Sequence, residues 1–153
     1  MQARMTNAAY LLPTALKGIG TLLQGIGEGG LPPELGEIVG LRASQINGCS
    51  ACAHAHAANL RKAGASEERI AAVAAWREAP FFTDAERAAL QLAERMTRLA
   101  DRSEEPVPDT LWDEVADHYE EKQLSALILT ISLTNMFNRI NTTIKEPAGT
   151  TWG

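Results

Sequence analysis

The stretch EIVGLRASQINGCSACAHAH, residues 37–56, holds both cysteines of the chain, two of its three histidines and one acidic residue. Two helical patterns meet inside it. On the N-terminal side, Pro32 and Pro33 suit a first helical turn, where a missing N–H is tolerated. Leu35, Ile38, Val39 and Arg42 follow at helical spacing and predict a helix over about 33–45. Asn47 and Gly48 interrupt it. An alanine-rich helix should then begin near Cys49 and stop at Gly64, a natural C-terminal glycine. The two cysteines therefore fall at a helix start. At ~100° per residue, Cys49, Cys52 and His56 lie within an arc of about 60° on one face.

Outward from this stretch the chain reads as helices throughout. Leu16, Ile19, Leu22 and Leu23 make a weak helix after Pro13 that should die in Gly25, Gly27, Gly29 and Gly30. Ser66 with Glu67 and Glu68 predicts an N-cap and a helix to about Ala79, before Pro80. Thr83 and Glu86 form a capping box for a helix through Leu90, Ala93 and Met96 to Leu99 or Ala100. A polar bridge, Asp101 to Glu105, leads to a short helix around Leu111, Trp112, Val115 and Ala116. The last helix, from Glu121 to about Thr142, carries two apolar stripes: Leu124, Leu127, Ile128 and Ile131 on one, Leu129, Leu133, Phe137 and Ile140 on the other. Such a helix is central to a core or shared between subunits.

Composition narrows the partners. The chain has 153 residues, enough for one hydrophobic core, and only 5% aromatic residues with much Ala and Leu, which favours packed helices. A formal net charge of −5 with scattered basic residues supplies no phosphate-binding stripe, so nucleic acid is not expected. No apolar run reaches membrane-spanning length and the N-terminus lacks a signal-type apolar core, so the expectation is a cytoplasmic protein without membrane association. Two cysteines three apart do not make a secreted disulfide framework; in a reducing compartment they point to redox or metal chemistry.

Cys52 and His56 are one turn apart, where the imidazole can take up the thiol proton. The helix N-terminus lowers a thiol pKa below ~8.5. Cys49 and Cys52 are also close enough to form a disulfide. Other chemistries use the same residues: two structural cysteines, a thiol–disulfide adapter, or a zinc site of Cys49, Cys52, His54 and His56. The zinc site suffers because His54 points about 140° from Cys49 on one helix. Position at the helix terminus favours Cys49 as nucleophile; the neighbouring base favours Cys52 and weighs more, because it both removes the proton and holds the thiolate as an ion pair. His54 reads as a surface or interface residue and His118 as a capping or packing residue. Asn138 and Arg139 are left outside the predicted site, and Glu37 taken alone reads as a solvated helix residue.

The pattern of Glu37, eleven residues, then Cys49-x-x-Cys52-x-x-x-His56, preceded by LRASQINGC, resembles the core motif of the alkylhydroperoxidase D and carboxymuconolactone decarboxylase superfamily. The resemblance runs from about Leu31 to Leu99, including AWREAPFFTDAERAAL, and more weakly through DHYEEKQL and NMFNRIN. It implies an all-α, single-domain bundle over residues 1–153 with about six or seven helices, assembled as a homo-oligomer (dimer, trimer or hexamer). It further implies a peroxiredoxin-type activity on hydroperoxides, with an external dithiol or redox protein as reductant and no cofactor or metal. By that resemblance Cys52 attacks the peroxide, Cys49 resolves, and His56 with Glu37 relays the proton. Alkylhydroperoxidase D proper carries a histidine immediately before its second cysteine, where this chain has Ala51. The lactone decarboxylases lack the cysteine pair, so thiol chemistry is the better inheritance.

Overall fold

A computed structural model describes residues 2–100 and 103–150, and within them the fold is all-helical. In chain order the helices are α1 (Ala8–Leu11), α2 (Pro13–Gly27), α3 (Pro33–Asn47), α4 (Ser50–Lys62), α5 (Glu67–Ala72), α6 (Asp84–Thr97), α7 (Asp109–Ala116) and α8 (Glu121–Ile144), with a 3₁₀ segment at Val73–Glu78. None of them is long and apolar enough to cross a membrane.

Helix α3 lies at the centre because it is apolar on more than one side. Leu35 and Val39 pack into one cluster with Leu92, Leu127 and Ile131 of α6 and α8. Ile38 and Leu41 enter a second with Leu60, Val73, Trp76 and Leu90. Each fully buried aliphatic side chain contributes roughly 1.5–3 kcal/mol, so the two clusters hold α3 between α4 on one side and α6 and α8 on the other.

The capping box expected at Thr83 and Glu86 is present: Thr83 N–H donates to Glu86 Oε2 (2.9 Å) and Glu86 N–H to Thr83 Oγ1 (3.3 Å). Elsewhere the helices depart from the sequence expectation, which counted six or seven. Among the described residues there are eight α-helices. The additional α1 is a single turn capped by Asn7, whose side chain accepts from Ala9 N–H. Helix α2 ends at Gly27, inside the glycine stretch where the sequence has it stop; it keeps Gly25 because a helical glycine costs only about 1 kcal/mol. The predicted 66–79 helix breaks at Ala75 (φ −124°, ψ 36°), which tightens its second half into 3₁₀ turns and buries Trp76. Helix α6 ends at Thr97, short of Leu99 and Ala100. Asp101 and Arg102 of the polar bridge lie outside the described residues. On α8 the stripe of Leu124, Leu127 and Ile131 is buried, whereas Leu129 is exposed.

An ion cluster around the buried Glu94 ties α3 to α6 and the 3₁₀ segment. Glu94 accepts from Arg42 (2.7 Å), Arg77 (2.8 Å) and the Trp76 indole N–H (2.9 Å). Burial pushes the Glu94 carboxyl up, but the hydrogen bonds from Arg77, Trp76 and Arg42 and the Arg42 charge outweigh it and hold the pKa down at about 2. A depressed carboxylate stabilises the fold above its ordinary pKa of 4.5 and loses that contribution as pH falls toward about 2. Glu94→Gln should therefore cost on the order of 3 kcal/mol at neutral pH. Chemical denaturation of the two proteins between pH 7 and pH 2.5 should show the difference shrinking below about pH 4.5; a gap that does not change with pH would remove the charge from the account.

Candidate active site around the cysteine pair

The turn between α3 and α4 uses only Gly48 and Cys49. Gly48 takes a left-handed conformation (φ 68°, ψ 25°), which a glycine adopts without the Cβ penalty, and Cys49 N–H returns to the Ser44 carbonyl (3.0 Å). Cys49 is then the N-cap of α4 rather than a residue within it: its backbone is extended and its sulfur accepts from Cys52 N–H (3.3 Å). The cap places the two sulfurs one turn apart, and they are joined in a disulfide with a Cα–Cα distance of 5.4 Å. Both residues are buried.

One turn further along α4, His56 faces Glu37 of α3. The Nδ1 atom lies 2.7 Å from Glu37 Oε2, and Asn59 Nδ2 donates to Glu37 Oε1 (3.2 Å). A carboxylate only accepts, so Nδ1 is the protonated nitrogen and Nε2 of a neutral ring is left as the base. The ring fits against α3 because residue 40 is glycine. A Cβ there would stand 2.7 Å from His56 Nε2 and 2.8 Å from Nδ1, and closer still to Cε1. Glu37 and Gly40 are one turn apart on α3, as His56 and Asn59 are on α4, so each helix presents a matched pair of positions.

Beside these residues lies a cavity of about 850 Å³. Cys52, His56 and Glu37 line it, whereas Cys49 does not. Its walls are largely apolar, with Leu23 and Ile26 from α2, Leu31 before α3, and Leu133 and Phe137 from α8. The sequence reading places a small pocket over the cysteines, where two helices meet near the Asn47–Gly48 turn. The cavity reaches Cys52 and extends along α3 to Pro32 and Pro33, while the turn itself is closed off by side chains of α8. Asn47 Nδ2 donates to Asn135 Oδ1 (2.9 Å) and Asn138 Oδ1 (2.8 Å), and Asn138 Nδ2 donates to Ser44 Oγ (3.0 Å).

The structure thus brings together all four residues singled out from the sequence: Cys49, Cys52, His56 and Glu37. His54 lies at the exposed side of the same cavity, and His118 packs edge-on against Tyr119 away from it. Two residues near the pair were not read as site residues. Gly40 makes room for the imidazole. Asn141 Nδ2 lies 3.3 Å from Cys52 Sγ, and its Oδ1 accepts from Asn7 Nδ2 (3.0 Å). The signal available for Asn141 was the recurrence of asparagine at 135, 138 and 141 on an otherwise apolar helix, since buried amides require partners.

With this geometry in view, comparison with known proteins defines the class. A family model for carboxymuconolactone decarboxylases matches residues 13–95. The chain is 40% identical over 105 residues to the Bacillus subtilis protein YdfG, covering 69% of each. It is 31% identical over 118 residues to Escherichia coli YnjA, covering 77% of this chain and 63% of that one. The chain belongs to the carboxymuconolactone decarboxylase family. Among solved structures it resembles the Agrobacterium tumefaciens protein ATU0492, described as of unknown function with an AhpD-type antioxidant role suggested. The TM-score is 0.86 at 29% identity, covering 98% of this chain and all of that one. The debrominase Bmp8 shares the fold (TM-score 0.76, 22% identity, covering 89% of this chain and 72% of that one).

Gly40→Ala tests the close approach of α3 and α4. Overpacking of this kind costs about 1–3 kcal/mol, and the added methyl should push the His56 ring off Glu37. The imidazole ¹⁵N resonances should lose the signature of an Nδ1–H held by a carboxylate; unchanged resonances would show that α3 yields instead of the ring.

Proposed function

We propose that the chain is a thiol-dependent peroxidase in which Cys52 is the attacking thiol, Cys49 the resolving thiol, and His56 with Glu37 the proton relay. The observation that carries this reading is that Cys52 alone of the two cysteines lines the cavity that His56 and Glu37 also line. In the reduced protein His56 Nε2 takes the Cys52 proton, and Glu37 steadies the imidazolium through Nδ1. The thiolate attacks the terminal oxygen of the hydroperoxide. The O–O bond breaks, Cys52 becomes a sulfenic acid, and the departing alkoxide takes the proton from His56 to leave as an alcohol. Cys49 then attacks the sulfenic sulfur and the S–S bond forms as water departs. An external dithiol returns two electrons and two protons to the disulfide.

The apolar walls favour organic hydroperoxides over hydrogen peroxide. Because both cysteines are buried, a low-molecular-weight dithiol passing through the cavity suits the reducing step better than direct exchange with a folded protein. A reducing cytoplasm would keep such a pair cycling. Self-association is part of the same proposal. Tyr10, Leu11, Leu12, Leu16 and Leu23 stay exposed on α1 and α2, an apolar surface that a second copy would cover. Light scattering should return a multiple of 16.5 kDa; a monomer at micromolar concentration would remove the oligomer from the proposal.

Stopped-flow mixing of the reduced protein with cumene hydroperoxide should give fast, saturable sulfenate formation that Cys52→Ser abolishes. Glu37→Gln should slow it about tenfold or more without unfolding the protein. Mass spectrometry of the tryptic peptide 43–61 should then show the 49–52 disulfide. Sluggish oxidation accompanied by rapid exchange with protein disulfides would replace the peroxidase by a thiol–disulfide adapter.

A further inference from the structure

The amide of Asn141 has a fixed orientation. Ala9 N–H donates to Asn7 Oδ1 (3.1 Å), which makes Oδ1 the acceptor end of the Asn7 amide and leaves Nδ2 to donate. Asn7 Nδ2 donates to Asn141 Oδ1 (3.0 Å). The Asn141 carbonyl is therefore turned to Asn7, and its NH₂ faces Cys52 Sγ at 3.3 Å. Reversing the Asn141 amide would set NH₂ against NH₂ at one end and an oxygen lone pair against sulfur at the other. Asn7, Asn141 and Cys52 are 5%, 2% and 6% exposed, so these bonds are largely shielded from solvent. The segment that carries Asn7 is itself held to the end of α8: Arg4 N–H donates to the Ile144 carbonyl (2.8 Å), and the Arg4 guanidinium to that of Thr143 (3.0 Å).

A disulfide sulfur is a weak acceptor, and a thiolate is a charged one that roughly doubles the strength of such a bond. The donor at Asn141 is therefore matched to the reduced protein. The titratable groups around Cys52 are Cys49, and Glu37, His54, His56 and Lys62 on the cavity wall. The residues of α2 and α8 that line the cavity carry none. His56 can accept the proton and pair with the thiolate; the Asn141 amide adds a neutral donor at the same sulfur.

We infer that Asn141 is a catalytic residue whose side-chain amide stabilises the Cys52 thiolate by hydrogen bonding, and that Asn7 is the positioning residue that aims it. Both lie outside residues 13–95, the part matched by the family model. The inference rests on Cys52 being the attacking thiol.

The test is the pH dependence of iodoacetamide alkylation of reduced protein in a Cys49→Ser background, where Cys52 is the only thiol. Asn141→Ala should raise the midpoint by about one pH unit or more, the size of a hydrogen bond to a charged group. Asn7→Ala should raise it by less, because the amide is then free to turn. Asn7 caps only the single-turn α1, so its replacement keeps the test open if Asn141→Ala does not fold. An unchanged midpoint in either folded variant overturns the inference. The titration uses no peroxide. A shifted midpoint in a protein without peroxide turnover would uphold Asn141 and remove the peroxidase, and an unshifted midpoint with fast turnover would do the reverse.

Discussion

Helices α3 and α4 can lie close enough for Glu37 to grip His56 only because no side chain stands at position 40. That missing Cβ is a steric condition for the arrangement beside Cys52. With the ring seated on the α3 backbone, its Nδ1 meets a carboxylate that Asn59 also holds, so the tautomer is settled by packing and hydrogen bonding together. The two-residue turn at Gly48 and Cys49 completes the arrangement, since it starts α4 with a sulfur as the cap and keeps the second sulfur one turn away.

Helix α8 closes the site from the opposite direction with amides in place of apolar side chains. Asn135, Asn138 and Asn141 are all buried, and each reaches a group on another part of the chain: Thr97 and Asn47, Ser44 and Asn47, Asn7 and Cys52. Buried amides without partners are costly, so this ladder admits few registers between α8 and the α3–α4 turn. The same helix supplies Leu133 and Phe137 to the cavity wall. Its second apolar stripe thus serves the cavity as much as the core.

The strongly depressed carboxylate is remote from this chemistry. Glu94 owes its low pKa to a structural cluster with Arg42, Arg77 and Trp76 that joins α3 to α6 and the 3₁₀ segment. Perturbed titration marks functional sites only in conjunction with a cavity and a reacting group, and Glu94 does not line the cavity beside Cys52.

Local rules made much of this protein legible. Helical periodicity, the capping box at Thr83 and Glu86 and the glycine at 48 located α3, α4, α6 and α8 to within a few residues, and the spacing of Cys49, Cys52 and His56 placed them on one face. Those features depend on neighbours within one or two turns, which the chain order itself specifies. How far the cavity extended, which sulfur faced it, and that Asn141 reached Cys52 across 89 positions of chain and Asn7 reached Asn141 across 134 were decided by tertiary packing. Contacts between segments that distant depend on how whole helices cross, and no local period records the crossing.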